Sequence, residues 1–216
     1  MNELSVIFDI DGVVIDSEQL HFNALMQVVP NLARNFKPEN LIGLSLDETL
    51  RHLKVNPEQI ENLKVDLHIA YESLLSDQFV RPGIKKLIRE LKDSKISYGY
   101  VSSAPRDTCL LNLALIENCA PLLIAGDDVI RTKPYPDPYL QMIDKLGAHA
   151  DDVIVVEDTD IGINSATAAG ITKVYAWPHS LSSNQNYKLA YRVIDSLNDI
   201  SEFQILKKLT CSDTQA

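Results

Sequence analysis

The stretch Leu4-Ser5-Val6-Ile7-Phe8-Asp9-Ile10-Asp11-Gly12 is a short apolar run that ends abruptly in two acids and a glycine. Such a run is too short for a helix and rich in β-formers, so it reads as a buried strand over Leu4–Phe8. Working outward from it, similar runs recur at Tyr98–Val101, Leu122–Ala125, Val153–Val156, Thr172–Ala176 and around Tyr191–Ile194. Segments with helical spacing lie between them. Ile84, Leu87, Ile88 and Leu91 fall at i, i+3, i+4 and i+7, and Leu110, Leu113, Ala114 and Glu117 are spaced similarly. Further helices are expected at Asp137–Leu146, Ile161–Ala169 and Leu197–Lys207. Strands alternating with helices predict an α/β fold, a doubly wound and mainly parallel sheet covered on both faces.

The stretch from Ser17 to Arg81 breaks that alternation. It carries amphipathic patterns at Leu20–Val29, Leu46–Leu53 and Pro57–Leu75, interrupted by Pro30, Pro38, Gly43 and Pro57. The expected organisation is therefore an α/β core over 1–16 and 82–216, with a small helical domain inserted at 17–81.

Composition narrows the function. The 216 residues are 45% hydrophobic and 23% charged, ordinary values for a globular chain. Asp and Glu number 30 against 20 Lys and Arg, a formal net charge of −10, which opposes nucleic-acid or anionic-membrane partners. A small phosphorylated ligand is not opposed, because one bound cation and one lysine invert the field locally. Cys109, Cys119 and Cys211 form no CxxC pair and read as reduced thiols. The N-terminal run lacks a basic flank and is interrupted by Asp9 and Asp11, so neither signal peptide nor membrane span is expected. A cytoplasmic monomer is the default reading.

Ligands of open parallel sheets bind beyond the carboxyl ends of the strands. There this chain gathers Asp9-Ile10-Asp11-Gly12 after the first strand, Ser102-Ser103 after the second, Lys133 after the third and Glu157-Asp158 after the fourth. Carboxylates, a hydroxyl and an ammonium at one edge suit phosphoryl transfer, which needs charge neutralisation and in-line positioning. Mg²⁺ takes hard oxygen ligands, which Asp9, Asp158 and the backbone carbonyl of Asp11 can supply. A carboxylate nucleophile gives an aspartyl phosphate. A second carboxyl two residues on can protonate the leaving group and then activate water. An EF-hand is excluded, since Gly12 stands at the fourth position, Val13 at the fifth and Leu20 where the bidentate Glu belongs.

The decapeptide Asp9-Ile10-Asp11-Gly12-Val13-Val14-Ile15-Asp16-Ser17-Glu18 resembles the first motif of the haloacid dehalogenase-like superfamily. Ser102, Lys133-Pro134-Tyr135-Pro136-Asp137 and Glu157-Asp158-Thr159-Asp160-Ile161-Gly162 are similar to its second, third and fourth motifs, in the same order. The insert after the first motif resembles the helical cap of the subgroup holding β-phosphoglucomutase and small-metabolite phosphatases. This resemblance implies Asp9 as nucleophile and Asp11 as acid/base, with Ser102, Ser103 and Lys133 holding the phosphoryl oxygens. It further implies an Mg²⁺ site made by Asp9, Asp11, Asp158 and Glu157. Members that cleave carbon–halogen bonds lack the second acid, so Asp11 points to phosphate esters.

The expected activity is hydrolysis of a small phosphorylated metabolite, a sugar phosphate or phosphoglycolate-like ester. The alternatives are a sugar phosphomutase and a receiver-like phosphoacceptor module. Against the mutase, Gly43-Leu44-Ser45 is followed by Leu46, where mutase-like members carry a basic residue, and Ala104-Pro105-Arg106 replaces their polar residues after the second motif. Receivers place their phosphorylated Asp after a later strand, with paired acids after the first, and have no helical insert. Arg106 is left as a candidate anion ligand, His21 as a residue of the cap hinge, Asp160 as a helix cap and Trp177-Pro178-His179 as a rim loop.

Overall fold

A computed structural model describes residues 4–40, 46–117, 120–182 and 185–204. Gly43-Leu44-Ser45, Cys119, Cys211 and the end of the expected 197–207 helix lie outside those residues. In chain order the elements are β1 (Ser5–Asp9), α1 (Ser17–Val28), α2 (Pro30–Ala33), α3 (Leu46–His52), α4 (Ile60–Leu74) and α5 (Ile84–Asp93). They continue with β2 (Ser97–Val101), α6 (Arg106–Leu113), β3 (Leu123–Ile124), α7 (Asp137–Leu146), β4 (Val153–Glu157), α8 (Asp160–Ala168), β5 (Lys173–Ala176) and β6 (Arg192–Val193).

All six strands are parallel, in the order β3-β2-β1-β4-β5-β6. The chain winds outward one way from β1 and the other way from β4, so the crevice of a doubly wound sheet opens between their carboxyl ends. β1 and β4 are buried along their whole length, which is why both read as continuous apolar runs rather than alternating ones.

The pleat divides the core in two. Val6, Phe8, Tyr100, Ile154 and Val156 face α5 and α6, in one apolar cluster with Leu20, Ala24, Leu50 and Tyr71 of the preceding helices. Ile7, Val101, Val153 and Val155 face α7 and α8. The expected repeat Ile84, Leu87, Ile88 and Leu91 is the buried stripe of α5.

Three local expectations are corrected. The helix carrying Leu110 and Leu113 stops at Leu113. Glu117 instead turns inward, where Lys92 Nζ (2.6 Å), Tyr98 OH (2.9 Å) and Tyr100 OH (2.8 Å) meet its carboxylate. Leu197 opens a short 3-10 turn, because Ser196 and Asp199 close a capping box around it, and the helical residues follow at 201–204. Asp160 does not cap α8: Thr159 does, its hydroxyl accepting from Gly162 N–H. The Asp160 carboxylate instead receives the backbone N–H groups of Asn186 and Tyr187. Among the described residues no helix is long and apolar enough to cross a membrane.

The helical residues 201–204 dock on β5 through Glu202, which accepts from Lys173 Nζ (2.7 Å) and Tyr175 OH (3.0 Å). Burial would raise its carboxyl, but the donors from Lys173 and Ser201 outweigh that and bring it down to about 2. A depressed carboxyl stabilises the fold above its unfolded value and loses that contribution as pH falls toward 2. Glu202→Gln is therefore expected to lower Tm at pH 7 by roughly 2–4 °C and to match the wild type near pH 2. Thermal melts across that range check it.

Candidate active site

The carboxyl end of β1 carries Asp9 into the crevice, and the chain then turns at once. Gly12 sits at φ 83°, and its N–H donates to Ile15 O (2.8 Å) while Val14 N–H returns to Ile10 O (2.9 Å). Any side chain at Gly12 would run into the Asp158 carboxylate. The glycine is thus required twice, for its left-handed backbone and for the space. Val13, Val14 and Ile15 are fully buried, so the turn is anchored by packing.

β4 delivers Glu157 and Asp158 beside Asp9. These three acids are buried, and one oxygen from each lies within 4.8 Å of the others. Lys133, from the loop before α7, bonds to Asp9 Oδ1 and to Glu157 Oε1 (2.6 Å). Tyr139 OH donates to the same Glu157 oxygen (2.6 Å), and Asp158 N–H donates to Glu157 Oε2 (3.1 Å). Gly162 on α8 abuts the Glu157 carboxylate, where a methyl group could not fit.

Burial, reinforced by Glu157, pushes the Asp9 carboxyl well above the usual carboxylate range against the pull of Lys133. Asp158 is also pushed up by burial, against its hydrogen bond from His179. Burial disfavours the Lys133 ammonium, but Asp9 and Glu157 reverse that and hold its proton firmly.

Asp11 lies outside the trio. Its Oδ2 accepts from Ser102 Oγ (2.7 Å), whose oxygen in turn accepts from Ala104 N–H (2.9 Å). Its Oδ1 is buried without a protein partner. Ser103 is exposed and stands outside this network. Arg106 is engaged rather than open to an anion: its guanidinium grips Asp128 (Nε–Oδ1 3.1 Å, plus Nη2). His21 on α1 lies 4.5 Å, ring to ring, from Tyr71.

Two contributors escaped sequence reading. Tyr139 lies on the apolar stripe of α7 and reads as core, which it also is. His179 approaches Asp158 Oδ2 (3.1 Å); the triplet Trp177-Pro178-His179 drew notice, but nothing in its spacing pointed at Asp158.

The trio fits a hard divalent cation. Three carboxylates meet one ammonium, so full ionisation leaves two surplus negative charges, and Asp158 Oδ1 is buried with no partner. Oxygen donors of this number suit such an ion.

The model of the haloacid dehalogenase-like hydrolase family matches residues 6–176. A phosphorylated carbohydrates phosphatase of Thermotoga maritima is 28% identical, over 84% of this chain and 88% of that one. A β-phosphoglucomutase of Bacillus subtilis is 27% identical, over 79% and 81%. A solved hydrolase from Pseudomonas syringae superposes with TM-score 0.71 at 26% identity, covering 93% and 99%.

The crowding of acids should weaken the metal-free fold. A carboxyl raised by the fold contributes stability below its unfolded value and loses it as pH rises through the folded one. Asp158→Asn, which keeps an acceptor for His179, is therefore expected to raise Tm at pH 7 in excess chelator by roughly 2–4 °C. Melts with chelator at pH 7 and pH 4 check it, the gain shrinking at the lower pH.

Proposed function

The chain belongs to the haloacid dehalogenase-like hydrolases and is an enzyme of their phosphatase kind; from that premise we propose that it hydrolyses a small phosphorylated metabolite through a phosphorylated Asp9. The substrate class is a sugar phosphate or a phosphoglycolate-like ester, and the cofactor is Mg²⁺. The observation that carries the reading is the pairing of two differently held acids at one strand end: Asp9 buried against Lys133 and Asp11 held by Ser102.

In the first step an Asp9 oxygen attacks phosphorus and the bond to the ester oxygen breaks. That oxygen takes the Asp11 proton as it leaves. In the second step the Asp11 carboxylate takes a proton from water, whose oxygen attacks the aspartyl phosphate and breaks the bond to Asp9. Inorganic phosphate leaves and both acids return to their starting states. Lys133 fixes one Asp9 oxygen and brings positive charge beside the transferring group. Ser102 holds Asp11 in one orientation, and Ser102, Ser103 and Lys133 are assigned to the phosphoryl oxygens. Asp9, Asp158, Glu157 and the Asp11 carbonyl would hold Mg²⁺, which when bound supplies charge neutralisation to the phosphoryl group. Residues 17–81 form the cap that excludes water and selects the substrate.

A phosphomutase shares the first step but returns the phosphoryl to a sugar, and the Bacillus subtilis relative keeps that reading alive. It needs a second anion grip in the cap, whereas Leu46 opens α3 and Arg106 is committed to Asp128.

Asp9→Asn is expected to abolish turnover, and Asp11→Asn to slow it by ~10²–10⁴-fold with the fold intact. Chelator should stop the wild type and Mg²⁺ restore it. Phosphate release from a panel of sugar phosphates and phosphoglycolate checks all three. Glucose 1-phosphate converted to the 6-phosphate without phosphate release would establish the mutase instead.

A further inference from the structure

Beyond the residues already given a role, one buried side chain reaches the acid trio from a different loop. His179 follows β5, in the turn 177–182, and its side chain is 2% exposed. Both ring nitrogens are engaged. Leu181 N–H donates to Nδ1 (3.3 Å), which leaves the ring proton on Nε2, where it faces Asp158 Oδ2 at 3.1 Å. With Nδ1 accepting from Leu181, Nε2 is the nitrogen that donates.

The turn that carries the ring is closed on itself. His179 N–H donates to Ser182 Oγ (2.9 Å), and Ser182 N–H donates to His179 O (3.0 Å). It begins on the site too, since Trp177 N–H donates to Glu157 O (2.6 Å). Tyr187 OH holds the Asp158 carbonyl from the other side (3.0 Å). Asp158 is therefore fixed at its backbone and at one carboxylate oxygen, while Oδ1 alone remains buried without a partner.

A second anchor comes from the opposite side of the crevice. Arg81 stands where the chain returns from the helical segment to the sheet. Its N–H donates to Val14 O (3.0 Å), beside the outgoing crossing where Asp16 N–H meets Phe79 O (2.7 Å). The guanidinium lies 3.9 Å over the Trp177 ring and donates to Pro178 O (3.0 Å). One planar cation thus ties the two crossings to the turn that holds His179.

We propose that His179 is a positioning residue for the metal site: its Nε2–H holds Asp158 Oδ2 so that Oδ1 is presented to the cation, and Arg81 fixes the His179 turn to the crossings between the helical segment and the sheet. The inference rests on the metal reading above. Three acids within 4.8 Å repel one another, and without a donor on Oδ2 the Asp158 carboxylate is free to rotate away from Glu157 and Asp9. A packing histidine would need neither a directed N–H nor an acid with an open second oxygen. Groups that orient metal ligands typically contribute 10–100-fold in affinity.

The test is Mg²⁺ titration calorimetry on the purified full chain, with parallel melts in chelator. His179→Phe keeps the ring volume without the donor, and His179→Gln restores an N–H at nearly the same reach. The Phe variant is expected to weaken Mg²⁺ binding roughly 10–100-fold, with the Gln variant within a few-fold of wild type. The Mg²⁺ concentration giving half-maximal activity should move in parallel, and kcat at saturating Mg²⁺ should fall less. Arg81→Lys keeps the charge but loses the stack and the fork, and should shift Mg²⁺ affinity in the same direction. Equal affinity in the Phe and Gln variants, both folded in chelator, would overturn the role of His179. An unchanged Arg81→Lys would overturn the link to the crossings. A wild type that binds no Mg²⁺ would instead refute the metal reading, and this inference with it.

Discussion

The ammonium of Lys133 lies between Asp9 and Glu157 with its side chain almost closed to water, and the rest of the site depends on it. Removing such an ion from water costs several kcal/mol, and only well-made pairing offsets that. Here two carboxylates face the lysine, and a phenol from Tyr139 supports one of them. The arrangement is sufficient for one positive charge but not for all the negative ones. Asp158 completes a trio that a single ammonium cannot neutralise, and this imbalance gives the crevice its appetite for a cation.

The imbalance is produced by the fold. Parallel strands all end on one edge, and the reversal of winding between β1 and β4 leaves a gap above those two strands. Asp9 arrives from one side of that gap and Glu157-Asp158 from the other, with 147 residues of sequence between Asp9 and Glu157. Close approach then requires that something be absent. Gly12 and Gly162 meet the need, each lying against a carboxylate where a methyl group would collide. A cluster of like charges is held together by packing on both faces of the sheet, which is why stability and chemistry pull in opposite directions here.

Much of this was legible in the sequence because it depends on short-range signals. β1, β2 and β4 end at or beside Asp9, Ser102 and Glu157-Asp158, Lys133 lies in the loop after β3, and the pattern on α5 follows directly from helical period. Tertiary contacts settle Glu117 and Asp160, through Lys92 with two tyrosines and through the N–H groups of Asn186 and Tyr187, whereas a local Ser196–Asp199 capping box shapes the turn at Leu197. Tyr139, His179 and Arg81 were hidden for another reason. Their partners lie far along the chain, and a tyrosine on an apolar helix face or an arginine before a proline carries no mark of what it will touch. Arg106 illustrates the converse, a cation that looked available until Asp128 was found on it.

The central claim is that hydrolysis proceeds in two displacements through Asp9, and stereochemistry at phosphorus tests it without any mutation. Each in-line displacement inverts the phosphorus centre, so two in succession give net retention. The measurement uses a phosphorothioate analogue of the substrate ester, made chiral with sulfur, 16O and 18O, turned over by the wild-type chain in 17O water. The configuration of the released inorganic thiophosphate is then determined. Retention is the predicted result. Inversion would mean that water attacks the substrate directly, and would contradict a phosphorylated Asp9.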